Sequence, residues 1–284
     1  MFSRPSKRAC SPGGRRAAVT ADASPRARPQ WPAGLRGRDH RPLVSFGIIL
    51  LIWTAAHELG WVDPRFLPSP IDLLWRLVTE IGSGSILLDL AETLKRNLGG
   101  FAIGAGVGVA LGALLGTSRL LARIIGPTVV AHRQTALFAW VPLIAMWFGG
   151  GDQGKIAFVA MAAFQPTVIN TWRGIAGVPG GLQELAAALR FSRLQYLRHV
   201  ALPAALPQIF TGLHAALIYA WLATVGSELF LNITPGLGGR LIEGSQLFEM
   251  DLLFLVIVIF GLVGLVYNGL AERMEARLLK WNRP

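Results

Sequence analysis

Cysteine is nearly missing from this chain: Cys10 is the only one among 284 residues. No intrachain disulfide can form, and no Cys-x-x-Cys pair or Cys/His cluster offers a metal site. Charge is scarce as well. Asp, Glu, Lys and Arg together make up 15% of the chain, against about a quarter in an ordinary soluble domain. No segment reads Gly-x-x-x-x-Gly-Lys-[Ser/Thr], so the chain lacks a phosphate-cradling nucleotide loop of its own. No nucleophile–base pair stands inside the apolar segments either, which removes the usual marks of an intramembrane enzyme.

Apolar residues are abundant, at 52%, and the mean hydropathy is +0.48. They gather in long uncharged runs, and a run of about 20 such residues crosses a hydrocarbon core. Windowed hydropathy predicts six spans, near 43–59, 94–116, 124–148, 156–172, 206–225 and 252–270. A short amphipathic piece, 71–81, precedes the second. The fold class expected is an all-α, polytopic membrane helical bundle. A basic N-terminal tail, 1–42, precedes a membrane domain over 43–284.

The tail is rich in Arg, Pro, Gly and Ser, and it cannot bury enough apolar surface to offset its ordering entropy; it reads as disordered. Arg15–Arg16 is not followed by an apolar stretch and a small-residue cleavage site, so no export signal is read there. The net charge of +11 could suggest nucleic acid, but its distribution points elsewhere. With both termini cytoplasmic, twenty basic residues fall on the inner side and three (Arg65, Arg76, Arg240) on the outer. That asymmetry orients a membrane protein rather than building a nucleic-acid face. Lys95, Arg96, Arg133 and Lys155 fall in spans or at their edges.

Glycines at 100, 104, 108, 112 and 116 share one face of the second span, where helix backbones can approach closely. The segment 173–205, between spans four and five, is long for a connection in a membrane bundle. It predicts two short amphipathic helices. Leu185, Ala188 and Leu189 share one face of the first, and Glu184, Arg190 and Arg193 present charge. Pro203 and Pro207 are expected to break the backbone before span five. Such a hairpin suits either docking to a soluble partner or lying on the bilayer surface.

Glu184-Leu185-Ala186, then Ser192, then Leu202-Pro203 resembles the EAA loop of binding-protein-dependent ABC importer permeases. Leu185 replaces that motif's first Ala, and Arg190 stands where its Gly is expected; a glycine there permits a tight turn. Over about 60–284 further pieces are similar to the family. They include Leu67–Pro70, Trp140-Val141-Pro142-Leu143 through Trp147-Phe148-Gly149, and Asn170–Ile175. Ser227-Glu228-Leu229 with Gly236-Leu237-Gly238 is similar to the branch that imports aliphatic sulfonates, taurine and nitrate.

The resemblance implies a permease subunit in the bacterial plasma (inner) membrane, working as a homodimer. Its partners would be two copies of an ATP-binding cassette ATPase inside and a solute-binding protein outside. It would bind no cofactor itself, ATP being used by the partner subunit. Glu184 to Ser192 would form the coupling helix, with Glu184, Leu185, Ala186, Arg190, Ser192 and Pro203 as the ATPase-docking residues.

Polar residues inside spans are expensive and often functional. Arg133, with Gln134 beside it, could line the passage for an anion, or it could reach the interface by snorkelling. His214 could join that path or serve as a polar packing contact. Glu228 would repel anions, so a structural role capping the following glycine-rich turn is expected. A secondary transporter or channel would need intramembrane acids and inverted repeats, and the spans show neither.

Overall fold

The computed structural model describes residues 41–63, 65–231 and 235–278. Cys10 and nearly all of the basic tail lie outside the described residues. The chain divides into two units, Met1–Ile49 and Leu50–Pro284. The described part of the first is the opening of helix α1 (Arg41–Glu58). All regular structure among the described residues is helical.

In the second unit, Trp53 donates its indole N–H to the Pro68 carbonyl at 3.0 Å, closing the loop that leads to α2 (Pro70–Ser83). That helix starts where its sequence says it should. Ser69 caps it, Asp72 completes a reciprocal capping box and Pro70 occupies the first turn, three of the strongest N-terminal signals. Its amphipathicity is inverted. Ile71, Leu74, Trp75 and Val78 point outward, whereas Arg76 turns in to pair with Glu249 at 2.8 Å and Glu80 at 3.2 Å. Gly84 then stops α2 at φ 75° and admits α3 (Ser85–Thr117).

After α3 come the short α4 (Arg119–Ile124) and α5 (Gly126–Gln134), a 3₁₀ turn (Leu137–Trp140) and α6 (Val141–Phe148). This stretch corrects the sequence expectation of one helix over 124–148. The segments Gly126–Gln134 and Leu137–Phe148 meet at 101°. The exposed backbone at such a break needs partners at membrane depth. Gln165 supplies one by donating to the His132 carbonyl at 3.2 Å.

α7 (Asp152–Ala176) forms the centre, with Phe158, Val159, Ala163 and Val168 fully buried. Each glycine of the α3 stripe meets it in ascending order: Gly100 meets Val159, Gly108 meets Thr167 and Gly116 meets Ile175. Ascending order means that α3 and α7 run parallel. The chain between them therefore returns from the far end of α3 to the near end, through the bent segment.

The connection after α7 holds α8 (Gly180–Ala188) and α9 (Arg193–Tyr196), which passes through a π turn (Leu197–Ala201) into α10 (Leu202–Phe230). Here too an expectation is corrected. Pro203 and Pro207 do not break the chain, and the helical run continues from Arg193 to Phe230, 38 residues. The wider π turn lies where the Pro203 ring would crowd the carbonyl of His199, while Pro207 is carried inside α10. α10 packs antiparallel to α7, Gly174 meeting Ala205 and Gly212 meeting Asn170. Then follow α11 (Leu237–Leu247) and α12 (Met250–Leu278), the latter antiparallel to α10 through the Trp221 N–H bond to the Phe260 carbonyl.

Among the described residues, three helical runs are long and apolar enough to cross a membrane: Ser85–Thr117, Arg193–Phe230 and Met250–Leu278. A fourth is added when the bent pair is taken as one crossing. Ile103, Val107, Leu262 and Leu265 are exposed on these helices, which is the expected character of a lipid-facing surface.

Candidate functional site

α8 projects from the end of the bundle where α3 and α7 finish and α10 begins. Of its residues only Ala186 is buried, at 4% exposure. Leu182, Leu185 and Leu189 stand exposed in one row with Glu184 beside them. A spacing of three and four residues makes that row a single apolar face, and the bundle does not cover it. Ser192 caps the helix that follows, accepting from the Gln195 N–H while Gln195 bonds back to the Ser192 N–H. Pro203 lies in the first turn of α10 and is exposed. The six loop residues singled out in the sequence thus share one end of the molecule, five exposed and Ala186 as the anchor.

The turn after α8 shows why the motif calls for glycine. Phe191 N–H bonds to the Ala186 carbonyl and Arg190 N–H to the Ala187 carbonyl, each at 3.0 Å. That pair of bonds defines a Schellman ending, and it puts Arg190 in the left-handed region at φ 53°. Left-handed backbone costs a residue with a side chain about 1–2 kcal/mol, while glycine gives part of that back through the unfolded chain. Arg190→Gly is therefore expected to raise thermal stability by up to about 1 kcal/mol, and Arg190→Val to lower it by about 1–2 kcal/mol. Melting midpoints in detergent check both.

At the opposite end lies a polar cluster that the sequence reading missed. α3 begins at Ser85, nine residues before the span drawn from hydropathy, so Arg96 is interior rather than at an edge. It is 3% exposed and donates to Glu228 at 3.0 Å and to Asp152 at 2.7 Å. Glu228, 1% exposed, also accepts from Thr93 at 2.9 Å and from the Gly238 N–H at 2.7 Å. Asp89 accepts from the Gly236 N–H at 2.9 Å and from Arg240 at 2.7 Å. Lys155 is buried within electrostatic reach of Arg96, Glu228 and Asp152.

The capping role expected of Glu228 is what the geometry shows. Gly236 adopts φ 152° with Arg96, Glu228 and Thr93 all close to where a Cβ would stand, and Gly238 lies directly against Glu228. Bulk at either position would displace the carboxylate. The hydrogen bond to Asp89 holds the Arg240 guanidinium above its ordinary range. Arg96, Lys155 and Arg240 balance Asp89, Asp152 and Glu228. This is a structural lock, with every carboxylate answered by a donor.

Of the intramembrane residues singled out earlier, Arg133 lines a cavity of about 460 Å³ between α5, α7 and α10, together with Thr135, Gln165, Asn170, Arg173 and Tyr219. Gln134 is exposed and does not line it. His214 faces a different cavity, against α3 and α12, where its ring bonds to Asn268 at 2.9 Å. The structure does not bring His214 and Arg133 together.

With this geometry in view, comparison with known proteins gives consistent results. Residues 104–280 match the family described as binding-protein-dependent transport system inner membrane component. The chain is 35% identical to the putative aliphatic sulfonates transport permease protein SsuC of Bacillus subtilis, over 82% of this chain and 84% of that one. It is 34% identical to the bicarbonate transport system permease protein CmpB of Synechococcus elongatus, over 84% and 88%. Among solved structures, a chain of the MetNI methionine ABC transporter in an inward-facing conformation superposes with a TM-score of 0.58 at 20% identity. The match covers 66% of this chain and 92% of that one.

Proposed function

The chain belongs to the binding-protein-dependent transport system inner membrane components, and from that membership we propose that it is the membrane-spanning half of a homodimeric importer driven by two ATPase subunits. An external binding protein delivers the solute. The solute is a small oxoanion, of the sulfonate or bicarbonate kind that the named relatives carry or the taurine or nitrate kind that the motif resemblance adds, matched by the arginines facing the α5–α7–α10 cavity.

We take six crossings, adding α1 and α7 to the three long apolar helices and the bent pair. α3 and α7 run parallel, and α10 and α12 follow in alternating directions, the order such a topology requires. The excess of basic residues assigns the α8 end, with both termini, to the cytoplasm. ATP binding would favour the state open to the outside and hydrolysis would reset it, with no need for a coupling ion in the permease.

The observation that carries the proposal is the uncovered apolar row of α8 beside Glu184, held by the Schellman turn at the end of the bundle. Co-expression with the ATPase subunit tests it. The ATPase should co-purify with the wild type. Its recovery should fall about tenfold or more with Glu184→Arg, because a like-charge contact at an interface costs several kcal/mol. If the ATPase binds neither form, α8 is a bilayer-surface helix and the importer assembly is wrong.

A further inference from the structure

The cavity between α5, α7 and α10 has an unusual charge balance. Arg133 and Arg173 both line it, and neither makes a salt bridge or side-chain hydrogen bond among the described residues. No Asp or Glu lies in the lining. The other polar groups are largely committed. Gln165 Nε2 donates to the His132 carbonyl, Asn170 Nδ2 donates to the Pro166 carbonyl, and Asn170 Oδ1 accepts from Gln208 at 2.8 Å. Besides these the lining offers two guanidiniums, the Thr135 and Tyr219 hydroxyls and the Gln165 side-chain oxygen. The buried and half-buried arginines at the other end of the bundle meet carboxylates: Arg96 meets Glu228 and Asp152, Arg240 meets Asp89, and Arg76 meets Glu80 and Glu249. Arg133 and Arg173, both exposed, instead share one cavity wall with no carboxylate in it.

Two cations without counter-charge, beside low-dielectric walls, raise the local concentration of small anions. A guanidinium's fork of N–H donors also matches the oxygens of a planar or tetrahedral oxoanion. Arg133, Thr135 and Leu137 of the lining sit at the 101° bend between α5 and the 3₁₀ turn. We propose that Arg133 and Arg173 form a paired oxoanion-binding site inside the membrane domain, a way-station for sulfonate- or carboxylate-bearing solutes of the cavity's size. The proposal deepens the importer reading and rests on it for the site's purpose, though not for the binding itself.

A reporter thiol decides the matter without transport. In a Cys10→Ser background, Thr135→Cys places a single thiol on the cavity wall. It is probed, in detergent and in nanodiscs, with an anionic sulfonatoethyl and a cationic trimethylammonioethyl methanethiosulfonate. With both arginines present, the anionic reagent should react about tenfold faster relative to the cationic one than each does with a free thiol. Arg133→Gln with Arg173→Gln should return the ratio to the free-thiol value, and the two Arg→Lys variants should keep most of it. Ethanesulfonate should slow both reagents on the unaltered arginines, a readout that needs no arginine variant to fold. A ratio unaffected by the arginines, no competition by ethanesulfonate, or a thiol inert to both reagents would each overturn the site. Failure of the importer reading shows separately, as an ATPase that does not co-purify while the anion preference persists.

Discussion

Arg96→Leu is expected to destabilise the bundle by about 3–5 kcal/mol, the usual result of leaving a buried carboxylate without its partner. Glu228 is 1% exposed and keeps only neutral donors and Lys155, whose charge must also serve Asp152. The double variant Arg96→Leu/Glu228→Gln should be more stable than Arg96→Leu alone, by roughly 1–2 kcal/mol. The amide still accepts from Thr93 and Gly238 but carries no charge to desolvate. Thermal unfolding of the purified chain in detergent, followed by loss of the monodisperse peak, measures both. If Arg96→Leu proves the more stable of the two, the cluster is solvated in the membrane and is not a lock.

Gly104→Leu should be the most damaging single change along α3. A side chain there would drive into the backbone carbonyl of Ala160 on α7, an atom that cannot move without displacing a helix already packed on both sides. Overpacking a core costs about 1–3 kcal/mol and sometimes more; the loss here is expected at or above about 3 kcal/mol, because the obstacle is main chain. Gly106 is the internal control. It lies two residues away on the same helix and has open space around it, so Gly106→Leu should change stability by less than about 1 kcal/mol, helix propensity favouring leucine. Equal damage from both would mean that glycine matters in α3 for flexibility rather than for contact.

The contrast between these two sites shows what the sequence can carry. The glycine stripe was legible because a spacing of four is itself the geometry of a helix face, and all five positions do meet α7. The ion cluster was not. Glu228 and Arg96 are 132 residues apart, and nothing local to either names the other. Hydropathy also hid them. Asp89 and Glu92 lower the average over 85–93 and push the span's start inward, although paired charges let the helix begin at Ser85.

Averaging failed at the third span for a related reason. A window over 124–148 sums apolar content and is blind to a bend, while Pro127 and Pro142, which were visible, mark only where new helices begin. The prolines of α10 misled in the other direction, since breaking a helix is their common effect and a π turn their less common remedy. Arg190 was the opposite kind of case. Its departure from the family pattern identified the position where the backbone is left-handed, because only the motif's glycine made the turn's requirement visible.

The uninterrupted helix from Arg193 to Phe230 gives the molecule a lever arm. At 1.5 Å per residue it is about 57 Å long, one end at the α8 turn and the other at Glu228. A displacement imposed at the α8 end first meets a compliant joint, the π turn at Leu197–Ala201, where the hydrogen-bond ladder is widened, and then Pro207 inside the helix. Motion that the joint does not absorb arrives at a carboxylate clamping the turn at Gly236 and Gly238. The two ends of the molecule are thereby set in mechanical series, and the stiffness of five residues beside Pro203 determines how much of a stroke gets through.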